Sequence, residues 1–400
     1  MEVLKIYNGN VLTPGGVIAG GVVVVKGGVI ATVGAEVVAR GAEVVGDDGG
    51  RVIDAGGRWV APGFIDIHVH GGGGHDFMDG TVEAFLGVAG LHARYGTTAM
   101  LPTTLTCSFE KLMQLFDIYS EANRLNTQGA QFLGWHLEGP YLSLQMKGAQ
   151  DARYIRNPCR EEYLEILECC PDIRRWSAAP ELEGALEFGR ELRSRGVLVS
   201  WAHTDALYAE IEAAFRNGYT LATHFYSCMN GVVRRDGVRY AGAIEYAYLE
   251  PEMDVEIIAD GMHLPPELLR LVHRIKGAAR VALVTDAMRA AGMPEGESVL
   301  GSLDDGLPVI VEGGVARLPD RSGFAGSVAT ADRLVRVMVD AGISLAEAVE
   351  MMTATPARII GVDGRKGSLE AGKDADIVLF DDNVTVGLTM IGGRVVYENL

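Results

Sequence analysis

GFIDIHV, residues 63–69, followed at once by His70, is the stretch on which the fold turns. Its apolar residues fall on both faces, and a strand apolar on both faces is buried on both sides, as parallel strands are. Seven more runs of this kind follow: TTAMLPT (97–103), QFLGWHL (131–137), RRWSAAP (174–180), VLVSWAH (197–203), YTLATHF (219–225), DVEIIAD (254–260) and RVALVTD (280–286). Helical patterns fall between several of them, among them VEAFLGVAGLHARY (82–95), EEYLEILECC (161–170) and LPPELLRLVHRIK (264–276). Eight buried strands alternating with helices predict an α/β fold, a (β/α)8 TIM-like barrel over residues 58–357. A doubly wound nucleotide-binding sheet is the alternative. The GGGG at 71–74 does not supply its phosphate loop, being neither GxGxxG nor followed by a cofactor helix.

Both chain ends have a different texture. VLKIYNGNVLTP (3–14), GGVVVVKGGVIATVG (20–34) and RVIDAGG (51–57) are short β-rich runs punctuated by Asn-Gly and Gly-Gly, as hairpin turns are. GSLEAGKDADIVLFDD (367–382) and VGLTMIGGRVVYENL (386–400) repeat the pattern. Residues 1–57 and 358–400 are therefore expected to form one small β-sandwich domain, which requires the two ends to meet.

Composition narrows the function classes. The chain has 400 residues, 48% of them hydrophobic, enough for a large α/β unit and a satellite. Its 52 glycines exceed the ordinary usage of about 7% and sit at turns beside apolar runs. A formal charge of −18 argues against nucleic acid as a partner, but a small phosphorylated ligand needs only an arginine and a few backbone N–H groups. The five cysteines (Cys107, Cys159, Cys169, Cys170 and Cys228) have no zinc-ribbon spacing and read as thiols of a reducing compartment. The first residues show no signal-peptide pattern, and no run approaches the roughly 18 apolar residues of a membrane span. A cytoplasmic protein without membrane association is expected.

The chemistry-bearing residues repeat one register. His68 and His70 close the first strand, Glu138 follows the third, His203 closes the fifth, His224 the sixth and Asp286 the eighth. The C-terminal ends of parallel barrel strands open on one face, where active sites are built. His68 and His70 lie two apart and so on one face of their strand. Any one histidine is more often a packed residue than a ligand; several in one register are not explained that way. Imidazole with carboxylate suits Zn2+ or Fe2+ better than Mg2+. Asp286 is the candidate proton carrier beside such an ion, against the plainer reading of a helix cap. His75, His92, His136 and His273 lack the register and are read as structural.

APGFIDIHVHG (61–71), HLEGPYLS (136–143), SWAHTDA (200–206), THFYSCMNG (223–231), IADGMHL (258–264), LVTDAM (283–288), FAGSVAT (324–330) and TPARIIG (355–361), with the tail at 367–380, resemble in order and spacing the N-acetylglucosamine-6-phosphate deacetylases of the amidohydrolase superfamily. The resemblance runs from about Val52 to the C-terminus. It implies hydrolysis of an N-acetylated amino-sugar phosphate by a homodimer with one or two divalent metal ions. Glu138, His203 and His224 would hold the principal metal, and His68 and His70 a second one bridged by Glu138. Asp286 would activate water and protonate the amine, and His263 would contact substrate. Arg235, or its neighbour Arg234, would reach the sugar phosphate from the adjoining subunit. Phe324, Ala325, Gly326 and Ser327 would form a substrate loop leading into a helix.

Two segments depart from the family pattern. Lys147-Gly148-Ala149-Gln150 ends in glutamine where histidine is frequent, and Ser227-Cys228-Met229 replaces Asn-Ala-Met. Ala149, Gln150, Ser227 and Cys228 remain expected substrate contacts, but an epimeric substrate, N-acetylgalactosamine 6-phosphate, another N-acyl amino sugar or an N-acyl amino acid stays open. A non-catalytic scaffold is the remote alternative, disfavoured because every expected ligand is present.

Overall fold

The computed structural model describes residues 3–35 and 50–400. Eight parallel strands follow the predicted order: β1 (Phe64–Val69), β2 (Thr97–Pro102), β3 (Trp135–Glu138), β4 (Ile173–Ala178), β5 (Leu198–Trp201), β6 (Tyr219–Ala222), β7 (Asp254–Ile257) and β8 (Val281–Leu283). β3 to β8 pair in sequence as a six-stranded parallel sheet, and β1 and β2 pair beside a short piece, Gln131–Phe132. The overall class is mixed α/β, with a curled parallel sheet.

The third predicted run is thus broken in two. Gln131–Phe132 pairs with β2, and after Gly134 the chain re-pairs with β4. Gly134 has φ 119°, and a Cβ there would lie 2.4 Å from the Asp172 carbonyl oxygen. Only glycine fits that crossing. On the far side, the Asp286 N–H donates to the His68 carbonyl (2.9 Å) and the His70 N–H to that of Ala287 (2.9 Å). The Asp66 carboxylate reinforces this seam by accepting from the Thr285 hydroxyl (2.5 Å) and amide (3.3 Å).

The helices form where caps and apolar stripes coincide. Ser108 accepts from the Lys111 amide at the head of Phe109–Leu125, which buries Leu112, Leu115, Phe116 and Tyr119. Pro266 opens Pro266–Lys276, which buries Leu269 and Val272 and stops at Gly277 (φ 71°). One four-stranded antiparallel sheet, Gly296–Leu300, Leu307–Glu312, Val315–Arg317 and Phe324–Ser327, is inserted after β8 and was not expected from the sequence.

The chain ends share one continuous eight-stranded sheet. In order it holds Arg394–Glu398, Val386–Ile391, Ile377–Phe380, Trp59–Pro62, Val3–Thr13, Gly16–Lys26 and Val29–Ala35, with Arg51–Asp54 also on Val3–Thr13. Leu4, Ile6, Val11, Val23, Ile53, Ile377, Leu379 and Leu388 form its own core. Trp59–Pro62 runs directly into β1, so the sheet is chained to the first site-bearing strand. Among the described residues no helix is long and apolar enough to cross a membrane.

A buried ion pair ties this sheet to the short piece Gln131–Phe132 beside β2. Lys366 donates to Asp376 (2.5 Å) and to the Gln131 side chain (2.7 Å), and its ammonium lies 3.0 Å from Asp374. Removing one partner of a buried pair strands the other charge. Lys366→Ala is expected to cost about 3–5 kcal/mol of stability, read as a lowered denaturant midpoint; an unchanged midpoint would show that water compensates the exposed carboxylates.

Candidate metal centre and catalytic cavity

Glu138, the last residue of β3, stands at the middle of the site. Its Oε1 lies 3.1 Å from His224 Nε2, 3.3 Å from His203 Nε2 and 3.6 Å from His68 Nε2. Its Oε2 lies 3.4 Å from His70 Nε2. Asp286 Oδ1 approaches the same pair from the other side, 3.1 Å from His70 and 3.5 Å from His68. All six groups are buried. Two triads, His68–His70–Glu138 and Glu138–His203–His224, each bring three ligand atoms within 4.8 Å of one another.

The side chains reach this point because their backbones leave the strands abruptly. His203, His224 and Asp286 have φ of 46°, 30° and 45°, left-handed conformations that cost non-glycine residues on the order of 1–3 kcal/mol each. Such strain is kept where the surrounding structure holds it. Beneath the histidines lies a polar floor inside the strands. Arg175 is fully buried and donates to Glu256, to Ser200 Oγ (3.0 Å), Thr223 Oγ1 (2.8 Å) and the Ile67 carbonyl (3.1 Å). Glu256 in turn faces His68 Nδ1 (3.5 Å) and accepts from the His224 amide (3.3 Å).

The tautomers that follow fit a cation. His203 Nδ1 donates to the Met146 carbonyl (2.8 Å), and His68 Nδ1 faces Glu256, so both rings turn a bare Nε2 into the site. His68 Nε2 lies 3.3 Å from His70 Nε2, and His203 Nε2 3.3 Å from His224 Nε2. A nitrogen pair at that distance needs a proton or a cation on it. The charge around Glu138 and Asp286 sets the same demand for positive charge. Burial acts to lower His68 and His70, but Glu138 and Asp286 outweigh it and raise them to about 9 and about 10. Burial acts to raise Glu138 and Asp286, yet the imidazoles hold both carboxyls below their usual range. Nitrogen and carboxylate donors in this number fit a divalent metal ion.

A cavity of about 380 Å3 opens above the centre. His70, Glu138, His203, His224 and Asp286 meet Gly148, Ala149, Gln150, Ser227, Cys228, His263, Phe324 and Gly326 on its walls, with Leu105, Leu300 and Leu318 closing it. His263 is oriented by Asp260 (Nδ1 to Oδ2 2.8 Å) and packs on the Phe324 ring at 4.8 Å. A larger space of about 600 Å3 adjoins across Leu105, Ala149, Gln150 and Leu300, but the imidazoles converge only in the smaller one.

The expected substrate loop needs correction. Residues 324–327 are not a loop: Phe324–Ser327 is an edge strand of the inserted sheet, paired with Val315–Arg317. Strand alternation turns Ala325 into that sheet's apolar core, and Ser327 donates its hydroxyl to the Thr285 carbonyl (2.5 Å), so neither lines the cavity. Gly326 does, at φ 74°, where a Cβ would sit 3.0 Å from the Asp286 carbonyl. Arg234 and Arg235 lie on an exposed hairpin, Val233–Arg235 with Val238–Tyr240, away from this chain's own cavity. His92 and His273 are held by the Gly71 carbonyl and Glu347, and His136 by Ser177 and Thr103. The sequence reading missed Arg175, Glu256 and Thr106; the first two were visible as charges at interior positions of β4 and β7.

Fold and site together define a class: a mixed α/β protein with a histidine–carboxylate centre at the C-terminal ends of parallel strands. The amidohydrolase family pattern matches residues 59–396. The N-acetylglucosamine-6-phosphate deacetylase of Vibrio furnissii is 34% identical over 341 residues, 85% of this chain and 83% of that protein. The N-acetylgalactosamine-6-phosphate deacetylase of Escherichia coli O157:H7 is 36% identical over 337 residues, 84% and 87%. The crystal structure of N-acetylglucosamine-6-phosphate deacetylase from Pasteurella multocida superposes with a TM-score of 0.89 at 28% identity, covering 98% of this chain and 99% of that one. The chain therefore belongs to the amidohydrolase family, in the group of the N-acetylglucosamine-6-phosphate deacetylases and their galactosamine counterpart.

His203→Ala leaves His68–His70–Glu138 intact and removes one of three groups from Glu138–His203–His224. Affinity for Zn2+ is expected to fall by more than about 100-fold, since even supporting residues are worth 10–100-fold. Elemental analysis of the folded variant after dialysis checks this; undiminished metal would exclude His203 as a ligand.

Proposed function

We propose that the protein hydrolyses the acetamide of N-acetyl-D-glucosamine 6-phosphate, giving D-glucosamine 6-phosphate and acetate. The observation that carries this is the convergence of four imidazoles on Glu138, with Asp286 beside them at the base of a cavity of sugar size. Glu138, His203 and His224 hold the principal Zn2+ or Fe2+, and His68 and His70 share Glu138 with a second. When bound, such an ion polarises the amide carbonyl and acidifies water.

Asp286 does the proton work. Its carboxyl is held ionised by His68 and His70, so it accepts a proton from water as the new C–O bond forms at the acetyl carbon. It returns that proton to the sugar nitrogen as the C–N bond breaks, so the amine leaves neutral. His263, whose Nδ1 donates to Asp260, keeps Nε2 free to accept from a substrate hydroxyl, and Ser227, Cys228 and Ala149 shape the sugar pocket.

The phosphate is matched from outside. Among the described residues lining the cavity there is neither lysine nor arginine. The exposed hairpin carrying Arg234 and Arg235 is the fitting donor, reaching the cavity of a second copy in a homodimer. The two parallel sheets are arcs of one (β/α)8 barrel over residues 58–357. The β3 crossover at Gly134 and the β1–β8 hydrogen bonds support this. Residues 1–57 and 358–400 make a separate small sandwich-like domain around its own core, and the strand Trp59–Pro62 joins its sheet before entering the barrel. We place the protein in the cytoplasm.

A second reading changes the sugar alone. The galactosamine enzyme of E. coli is as similar as the glucosamine enzymes, so N-acetylgalactosamine 6-phosphate is the competing substrate. Acetate release from both epimers and their unphosphorylated forms decides. The highest kcat/KM is expected for the glucosamine phosphate; faster turnover of an unphosphorylated amide would defeat the assignment. Asp286→Asn is expected to keep its metal and lose about 10²–10⁴-fold in kcat, and retention of most of kcat would remove its assigned role. Arg235→Ala is expected to raise KM for the phosphorylated substrate about 10–100-fold, the worth of a hydrogen bond to a charged group. Mixing it with Asp286→Asn should restore activity if the arginine acts across subunits; no complementation would place the phosphate contact elsewhere.

A further inference from the structure

Gln150 stands on the cavity wall, but its side chain is committed at both ends. Oε1 accepts from the Thr106 backbone N–H (2.9 Å) and the Thr106 hydroxyl (3.1 Å). A backbone N–H can only donate, so the atom facing it is the oxygen, and the amide cannot be flipped. Nε2 is therefore the atom turned to Glu138, donating to Oε2 at 2.7 Å. The residue is 4% exposed.

That bond makes the two oxygens of Glu138 unequal. Oε1 faces His203, His224 and His68, while Oε2 faces His70 and receives the Gln150 N–H. A carboxylate on a flexible stem otherwise rotates with little resistance about its last torsion. Thr104 holds the Glu138 backbone amide (3.3 Å) but not the carboxylate. Among the described residues Gln150 is the one neutral group hydrogen-bonded to that carboxylate; every other close neighbour is an imidazole of the candidate triads.

We propose that Gln150 is a positioning residue for the metal-bridging carboxylate, through the chain Thr106–Gln150–Glu138, rather than a sugar contact. This rests on the metal-dependent reading above. Fixing Oε1 toward one triad and Oε2 toward the other lets a single carboxylate serve both. A carboxamide does so without a titratable proton, so the support does not change with pH in the range where an imidazole in its place would ionise.

The test uses the full-length protein stripped of metal and titrated with Zn2+ against a chromophoric chelator, with KM measured separately at saturating Zn2+. Gln150→Leu is expected to weaken Zn2+ binding about 10–100-fold and to leave KM unchanged. Thr106→Val, which removes one of the two bonds to Oε1, is expected to shift binding in the same direction by less, and it carries the test should Gln150→Leu not fold. Wild-type Zn2+ affinity in both variants overturns the proposal, and a raised KM with intact metal binding would make Gln150 a substrate group. If the wild-type protein itself takes up no Zn2+, the metal-dependent reading fails and this inference falls with it.

Discussion

One buried carboxylate sets the terms for the whole site. Glu138 offers its two oxygens to four imidazole nitrogens at 3.1–3.6 Å, with Asp286 close to two of them. Two carboxylates out of water are tolerable only with compensating positive charge. Protons on His68 and His70 can supply that charge, and so can a bound cation. Glu256 and the Met146 carbonyl engage Nδ1 of His68 and His203 from behind, which leaves each Nε2 available to such a cation.

Much of the scaffold serves to bring these groups together. Arg175 and Glu256 occupy the strand interior as a paired floor, joined to β1, β5 and β6 through Ile67, Ser200 and Thr223. Asp66 pins β8 to β1 within two residues of His68. The strained backbone at His203, His224 and Asp286 is the local cost of aiming three side chains at one point. Chain-end sheet, ion pair at Lys366 and first strand are continuous, so rigidity reaches His68 and His70 from below.

Much of this was legible in the sequence because it depends on periodicity. Doubly apolar runs located all eight parallel strands, and the shared position of His68, His70, Glu138, His203, His224 and Asp286 at their ends foretold which side chains would meet. What stayed hidden depends on tertiary context. The break at Gly134 looks like an interior glycine of one strand until both neighbours are known. Residues 324–327 read as a loop because their pairing partner, Val315–Arg317, is set by the inserted sheet and not by local pattern. Gln150 stands at the family's substrate position, and its bonds to Thr106 and Glu138 are visible only in the folded chain.

The central claim is that Glu138 shares its carboxylate with bound metal, and anomalous diffraction tests it most directly. Data collected on both sides of the zinc and iron absorption edges, from crystals of the protein as purified, should show a peak about 2.0–2.2 Å from Glu138 Oε1 and the Nε2 atoms of His203 and His224. Absence of any peak, with those imidazoles hydrogen-bonded directly to the carboxylate in a metal-supplemented crystal, would contradict the account.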